Sequence, residues 1–351
     1  MKTVETGHSR RITLKDIAKR LDVSHATVSR ALNRPEDPLI SEATRLRVQQ
    51  VASEMGYRPN LAARSLATGR TGLFALWLWS EGIPNSYHAN VSQLMNSAAQ
   101  SHSYQLLVNL TNRNTLAQSK SQLFDAWHVD GIIAHEAGPA IQAQFHSVAR
   151  PSVPVVTSGA YHLLEGFDRV EVDVEAGAVL AMEHLLAIGR RRITYVTDDL
   201  AHRKDDPRFK AYSDLLDGNG LKAEFIDVPN YRAGVRSQIR EHVRQYGVPE
   251  ALLCHNDDIA IAAYRGLCDL GVRVPDDTAI VGCDGIEDTE YLEVPITTIA
   301  QPLGKLCELA CQFLEQRIED PSRPLQRARL NAELVIRAST GGSSLPPYSP
   351  L

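Results

Sequence analysis

Residues 13–57, TLKDIAKRLDVSHATVSRALNRPEDPLISEATRLRVQQVASEMGY, commit the start of the chain to three short helices. Thr13 stands where a helix N-cap belongs, and Asp16 follows as the acidic partner near the positive end. Ile17, Ala18, Leu21, Val23, Val28 and Leu32 recur at spacings that pack two crossing helices around a tight turn at Asp22-Val23. Ser24 opens the second helix. Ser41 caps a third, whose Leu46, Val48, Val51 and Met55 are expected in the core, and Gly56 suits the left-handed position past its end. The informative residues are those the core does not claim. Ser24, His25, Ala26, Thr27, Ser29 and Arg30 form the start and outer face of the second helix. Small and polar side chains there can approach phosphates and base edges, which Leu or Glu would block or repel. This is the layout of a helix-turn-helix DNA reader, followed by a basic segment introduced by Tyr57-Arg58-Pro59-Asn60.

Charge agrees. The chain holds 37 Lys+Arg and 42 Asp+Glu; residues 1–70 hold 13 and 7, which leaves 24 and 35 for residues 71–351. A basic head therefore sits on an acidic body, an asymmetry that favours phosphate contacts through the head and keeps the body off DNA.

The body alternates short apolar runs with helical stretches. LFALWLW (73–79), YQLLVNL (104–110), DGIIAH (130–135), PVVT (154–157), RITYVT (192–197), AEFIDV (223–228), ALLCHN (251–256) and AIVGCD (279–284) read as strands. Helices are expected near 88–102, 115–127 and 139–149. That rhythm means α/β architecture with parallel sheets covered on both faces. Enzyme readings fail on chemistry: no G-x-G-x-x-G or P-loop follows a strand, and no His pair has metal-ligand spacing, so no cofactor and no metal are expected. Cys254, Cys268, Cys283, Cys307 and Cys311 are odd in number without a C-x-x-C, and read as small hydrophobes of a reducing cytoplasm. No signal peptide and no membrane-length apolar run is present.

DIAKRLDVSHATVSRALN and GYRPNLAARSLATGRTG resemble the head and hinge of the lactose-repressor (LacI/GalR) family of bacterial transcription regulators. The resemblance continues through VDGIIAH (129–135), EVDVEAGAVLAMEHLLAIGRRRITYV (171–196), LLCHNDDIAIAAYRGLCDLGVRVPDDTAIVGCDG (252–285), PITTIAQPLGKL (295–306) and ELVIRAST (333–340). It implies a helix-turn-helix head (1–57), a hinge (58–70), and an effector-binding and dimerisation domain (71–340) before a tail (341–351). It also implies a two-lobed clamshell like that of periplasmic binding proteins. Lobe 1 is expected over about 71–165 plus 300–322 and lobe 2 over 166–299 plus 323–340, with crossings near 158–171, 297–301 and 320–328.

For the head, the resemblance assigns base reading to His25, Ala26 and Arg30. Arg30 is suited either to guanine or to phosphate, and Ala26 offers only apolar contact. Ser24, Thr27, Ser29, Asn33 and Tyr57 are expected to position phosphates. In the hinge, Asn60 and Arg64 flank Leu66, which matches a leucine that wedges into the minor groove; packing on its twin across a dimer is the other reading.

For the body, a ligand in such a fold sits beyond the carboxyl ends of the strands. His135, Asn256-Asp257, Asp284 and Gln301 fall at those ends, and Trp79 lies beside the cleft mouth. Asn and Asp at such ends also cap the next helix, a rival role for Asp257. By resemblance, Arg208 binds effector hydroxyls or carboxylates, and Tyr87 and Tyr231 stack on the ligand. The chain departs from the family at Asn85-Ser86-Tyr87-His88, where many members carry Asn-Pro-Phe-Phe, and at Ser158-Gly159, where many sugar-responsive members carry aspartate. A sugar or sugar derivative remains the expected effector. The expected whole is a cytoplasmic homodimeric repressor on a palindromic double-stranded operator, without the Leu heptads of a tetramer in its tail. Two other readings share parts of the pattern: a regulator controlled by a partner protein, and a ligand-binding clamshell without operator control.

Overall fold

The computed structural model describes residues 12–33, 37–58, 65, 69–79, 86–111, 129–136, 153–160, 165–198 and 206–342. Two compact units meet at Thr71-Gly72. The first contains α1 (Leu14–Leu21), α2 (His25–Asn33) and α3 (Glu42–Glu54). The Thr13 backbone N–H and hydroxyl both donate to the Asp16 carboxylate, at 2.9 and 2.7 Å. Asp22 turns the chain with φ 54°, and the Ser24 hydroxyl caps α2 by accepting from Thr27 N at 3.0 Å. Ile17, Ala18, Leu21, Val28, Ala31, Ile40, Val48 and Ala52 close the core, with Val23, Leu32, Val51 and Met55 packed against it. Leu46 does not join them and is 60% exposed. It lies two residues before Val48, about 200° around the helix, so the two point to opposite sides. Gly56 takes φ 66° as anticipated.

Among the described residues, the second unit carries two six-stranded sheets. Sheet 1 contains β1 (Leu73–Trp79), β2 (Gln105–Thr111), β3 (Gly131–His135), β4 (Val155–Gly159), β5 (Asp168–Asp173) and β11 (Arg327–Asn331), in the order β11-β5-β4-β3-β1-β2. Every pairing in it is parallel. Sheet 2 contains β6 (Ile193–Asp198), β7 (Glu224–Val228), β8 (Ala251–Cys254), β9 (Ala279–Asp284), β10 (Thr297–Ala300) and β12 (Glu333–Val335), in the order β12-β10-β9-β8-β6-β7. Its edge pair, β10 with β12, is antiparallel. β3, β4, β6, β8 and β9 are buried along their whole length, as strands covered on both faces must be.

Helices α4 (Ser86–Ser101) and α9 (Leu303–Glu319) cover sheet 1. Sheet 2 is flanked by α5 (Val174–Ala187), α6 (Pro207–Gly218), α7 (Arg232–Tyr246) and α8 (Asp257–Cys268). The helices expected near 115–127 and 139–149 lie outside the described residues.

The lobes divide later in the chain than anticipated. β5 and β11 both belong to sheet 1, so the chain leaves that lobe after Asp173, returns after Ala300 and leaves again at Ala332. The ranges 166–173 and 323–331 therefore belong to lobe 1. β5 alternates buried and half-buried residues and β11 exposed and half-buried ones, and neither is an apolar run. All five cysteines are free; Cys268 is half-buried and the others buried. Among the described residues, no helix is long and apolar enough to cross a membrane.

Candidate DNA interface and effector site

In the head, the N-cap and the packing of α2 settle which side chains face out. Val28 and Ala31 point inward, leaving Ser24, His25, Ala26 and Arg30 exposed on one surface. The Ser24 hydroxyl lies 2.8 Å from that of Thr27, so part of its bonding capacity goes to the helix start. Asn33 donates to Ser29 O at 3.0 Å and secures the last turn. Arg30 passes Asp37 at 4.0 Å and remains 44% exposed, long enough to swing to a base or a phosphate. Tyr57 is half-buried against the head core. Asn60, Arg64 and Leu66 lie outside the described residues.

In the body, the carboxyl ends of the strands gather most of the residues singled out from sequence. At the end of β3, the His135 ring is buried, with Nε2 2.9 Å from the Tyr87 hydroxyl and Nδ1 3.0 Å from the Ser158 hydroxyl. Burial, and then the neighbouring His88, pushes its pKa down to about 3, so the ring is neutral and ties β3, β4 and α4 together. Tyr87 is therefore a buried member of the lobe 1 core, where the sequence had suggested a stacking platform. Tyr231, at the start of α7, is 57% exposed. Trp79 ends β1, and its side chain lies outside the described residues.

Arg208 is the clearest departure. It is 4% exposed at the start of α6, beside the N-cap Asp206. Nε and Nη2 reach the two Asp206 oxygens at 3.0 Å each, and Nη2 also lies 3.2 Å from His255 Nε2. Nη1 donates to His255 O at 2.9 Å and approaches Cys283 Sγ at 3.7 Å. A guanidinium has five N–H groups, and these contacts engage all of them inside the lobe. The resemblance assigns this arginine to the effector; in the structure it ties α6 to the ends of β8 and β9.

Asn256 and Asp257 divide two roles. Asn256 caps α8 by accepting from Ile259 N at 2.8 Å, and its amide nitrogen is not needed for that. Asp257 is fully buried and holds the turn after β9: Oδ2 accepts from Gly285 N at 2.8 Å and Ile286 N at 2.9 Å, and Oδ1 accepts from the Thr298 hydroxyl at 2.7 Å. Burial pushes its pKa up to about 6 against those hydrogen bonds. A side chain at Gly282 would collide with this carboxylate. The turn so built carries Asp284 at φ 130°, with Gln301 Nε2 donating to its Oδ1 at 3.0 Å. Burial, then the charge of Asp257, raises the Asp284 pKa well above the usual carboxylate range. Gln301 Oε1 is buried without a hydrogen-bond partner. A buried acceptor left unpaired suits a donor from a bound molecule. Asp284, Gln301, Asn256 and the buried Asp258 thus stand together at the carboxyl ends of sheet 2.

Two further features escaped the sequence reading. Arg232, at the start of α7, pairs with Asp258 and reaches the Ser86 hydroxyl on α4 of lobe 1. A cavity of about 160 Å³ at the crossings is lined by Ala160, Glu171, Asp173, Glu175, Pro207 and Arg329, with Val172 and Val174. It joins strand ends of sheet 1 to the first turn of α6.

Residues 13–60 match the model of bacterial regulatory proteins of the lacI family, and residues 182–340 that of a periplasmic binding protein-like domain. The chain is 28% identical over 335 residues to the ribose operon repressor of Haemophilus influenzae, covering 93% of this chain and 98% of that one. It is 27% identical over 337 residues to the probable HTH-type transcriptional repressor ExuR of Bacillus subtilis, with the same coverage. The crystal structure of the Lac repressor dimer bound to operator and an anti-inducer superposes with a TM-score of 0.79 at 25% identity, over 94% of this chain and 99% of that one. The chain thus carries a lacI-family helix-turn-helix region followed by a periplasmic binding protein-like domain, as do the LacI-family repressors it resembles, and members of that family are DNA-binding transcriptional regulators and not enzymes.

Proposed function

We propose that this chain is a homodimeric repressor that reads a palindromic operator through α2 and is controlled by a sugar or sugar derivative in the interlobe cleft. The observation that carries it is the outward face of α2, where Ser24, His25, Ala26 and Arg30 stand exposed above a fully packed head. His25, Ala26 and Arg30 read base edges, and Ser24, Thr27, Ser29, Asn33 and Tyr57 position phosphates. Residues 58–70 act as the hinge, with Asn60 and Arg64 on the backbone and Leu66 as the minor-groove wedge. Effector binding changes the angle between the lobes and hence the spacing of paired hinges. The ribose named for one relative supports a carbohydrate, as does Gln301 Oε1, a buried acceptor without a hydrogen-bond partner beside Asp284. Asn256 contributes its amide and Tyr231 its ring, with Trp79 at the mouth. His135, Tyr87 and Arg208 act from behind by holding the strand ends.

The experiment is sequencing of genomic fragments captured by the full protein across a salt series, with and without candidate sugars. A shared palindrome with half-sites about one helical turn apart is expected. Capture that ignores sequence and vanishes at modest salt would mean that the head binds phosphate only, and the repressor reading would fail.

A further inference from the structure

The start of α7 carries a contact that the effector site does not require. Arg232 Nε donates to Asp258 Oδ1 at 2.8 Å, and Nη2 donates to the same oxygen. The same Nη2 reaches out of its lobe to the Ser86 hydroxyl at 3.2 Å. Ser86 opens α4, which follows β1 of sheet 1; Arg232 opens α7, which follows β7 of sheet 2; Asp258 lies in the first turn of α8. Three helix starts, one from lobe 1 and two from lobe 2, therefore converge on one guanidinium.

The chemistry fits a reversible fastening. The Asp258 side chain is 12% exposed while that of Arg232 is 49% exposed, so the carboxylate is the fixed anchor and the guanidinium the moving part. Asp258 Oδ2 is buried without a hydrogen-bond partner, so the anchor is held from one side only. A planar fork can keep its charged pair within lobe 2 while one nitrogen engages or leaves a neutral hydroxyl in lobe 1. Opening thus breaks one modest hydrogen bond and strands no buried charge.

We propose that Arg232 is a clasp between the lobes: anchored on Asp258, it closes on Ser86 and sets the proportion of closed protein before any effector arrives. The contact stands on the geometry alone, whereas its regulatory meaning rests on the effector-controlled reading above. The test is accordingly made on the full chain without DNA or ligand, so that failure of the clasp and failure of the repressor reading are separate results.

Hydrogen exchange is followed in peptides from the first turns of α4 and α7 in wild type, Arg232→Ala, Ser86→Ala and the double variant, with thermal melts as a control on folding. Arg232→Ala is expected to speed exchange in α4, on the other lobe, by roughly threefold, the scale of one half-exposed hydrogen bond. Ser86→Ala is expected to do the same in α7, and the double variant to add little to either single change, because both remove one contact. Arg232→Lys, which keeps the charge but not the fork, is expected to fall between. The proposal is overturned if Arg232→Ala alters exchange only within lobe 2, or if the two single effects add.

Discussion

Replacing Asp206 by Ala tests whether Arg208 is a structural tie. Asp206 is 6% and Arg208 4% exposed, so the pair is screened by little water. The substitution removes both charge-assisted bonds to the guanidinium, at 3.0 Å each, and the cap on the Arg208 backbone N–H at 2.9 Å. Stranding a buried charge costs about 3–5 kcal/mol, and losing the cap about 1 kcal/mol more. A loss of about 4–6 kcal/mol is therefore expected, against a total stability of about 5–15 kcal/mol for a typical domain. Arg208→Met removes the charge from the other side. The double variant is expected to lose about as much as the worse single one, so the coupling equals the cost of the lesser single change, about 3–5 kcal/mol. The assay is equilibrium urea unfolding by far-UV circular dichroism and tryptophan emission. Trp77, Trp79 and Trp127 all lie beyond residue 70, so emission follows the body and not the head. Coincident transitions would show the two lobes unfolding together. If Asp206→Ala loses less than about 1 kcal/mol at an unchanged slope, the guanidinium has another state to occupy and the tie is refuted.

Gly282→Ala should lower stability by at least about 2 kcal/mol, because its methyl meets the buried Asp257 carboxylate, a case of overpacking. Gly304→Ala, in open space within α9, should instead raise it by about 0.4–1 kcal/mol; paired thermal melts read both. His135 gives a pH signature. Its folded pKa of about 3 lies below the ordinary 6.5, so its contribution is complete above pH 6.5 and lost as pH falls towards 3. His135→Gln should flatten that acid decline by an amount on the order of 4 kcal/mol across the window, seen in denaturant titrations at several pH values; parallel pH curves would contradict the neutral buried ring. For the head, Arg30→Ala should weaken operator binding tenfold or more in gel-shift titrations. A salt slope reduced by about one would assign Arg30 to phosphate, while an unchanged slope with relaxed sequence preference would assign it to guanine.

The head was legible because short helices declare themselves through caps and spacing: Thr13, Ser24, Ser41 and Gly56 all act as the pattern implied. Leu46 misled because an apolar residue carries no mark of which way its helix will roll. The buried strands were legible as apolar runs, whereas β5, with its DRVEVD, and β11, with its RARLN, look like solvated segments until a neighbouring strand pairs with them. Strand-end positions located Asp284 and Gln301 beside each other. They did not reveal that Arg208 is enclosed, although Asp206 before Pro207 is itself a helix-start signal that foretold a capping carboxylate. The Arg232–Asp258 pair spans 26 positions and its reach to Ser86 spans 146, separations no local pattern encodes.

The path of the chain between the sheets has a consequence for how the protein is made. β11 finishes the edge of sheet 1 and β12 the edge of sheet 2, with only Ala332 between them. Both lobes therefore wait for the same last stretch of polypeptide to leave the ribosome. A gene fragment ending at residue 300 encodes neither lobe in full, and a single cut cannot exchange one lobe for that of a relative. Three junctions, after Asp173, after Ala300 and at Ala332, are the places where such chimaeras have to be joined.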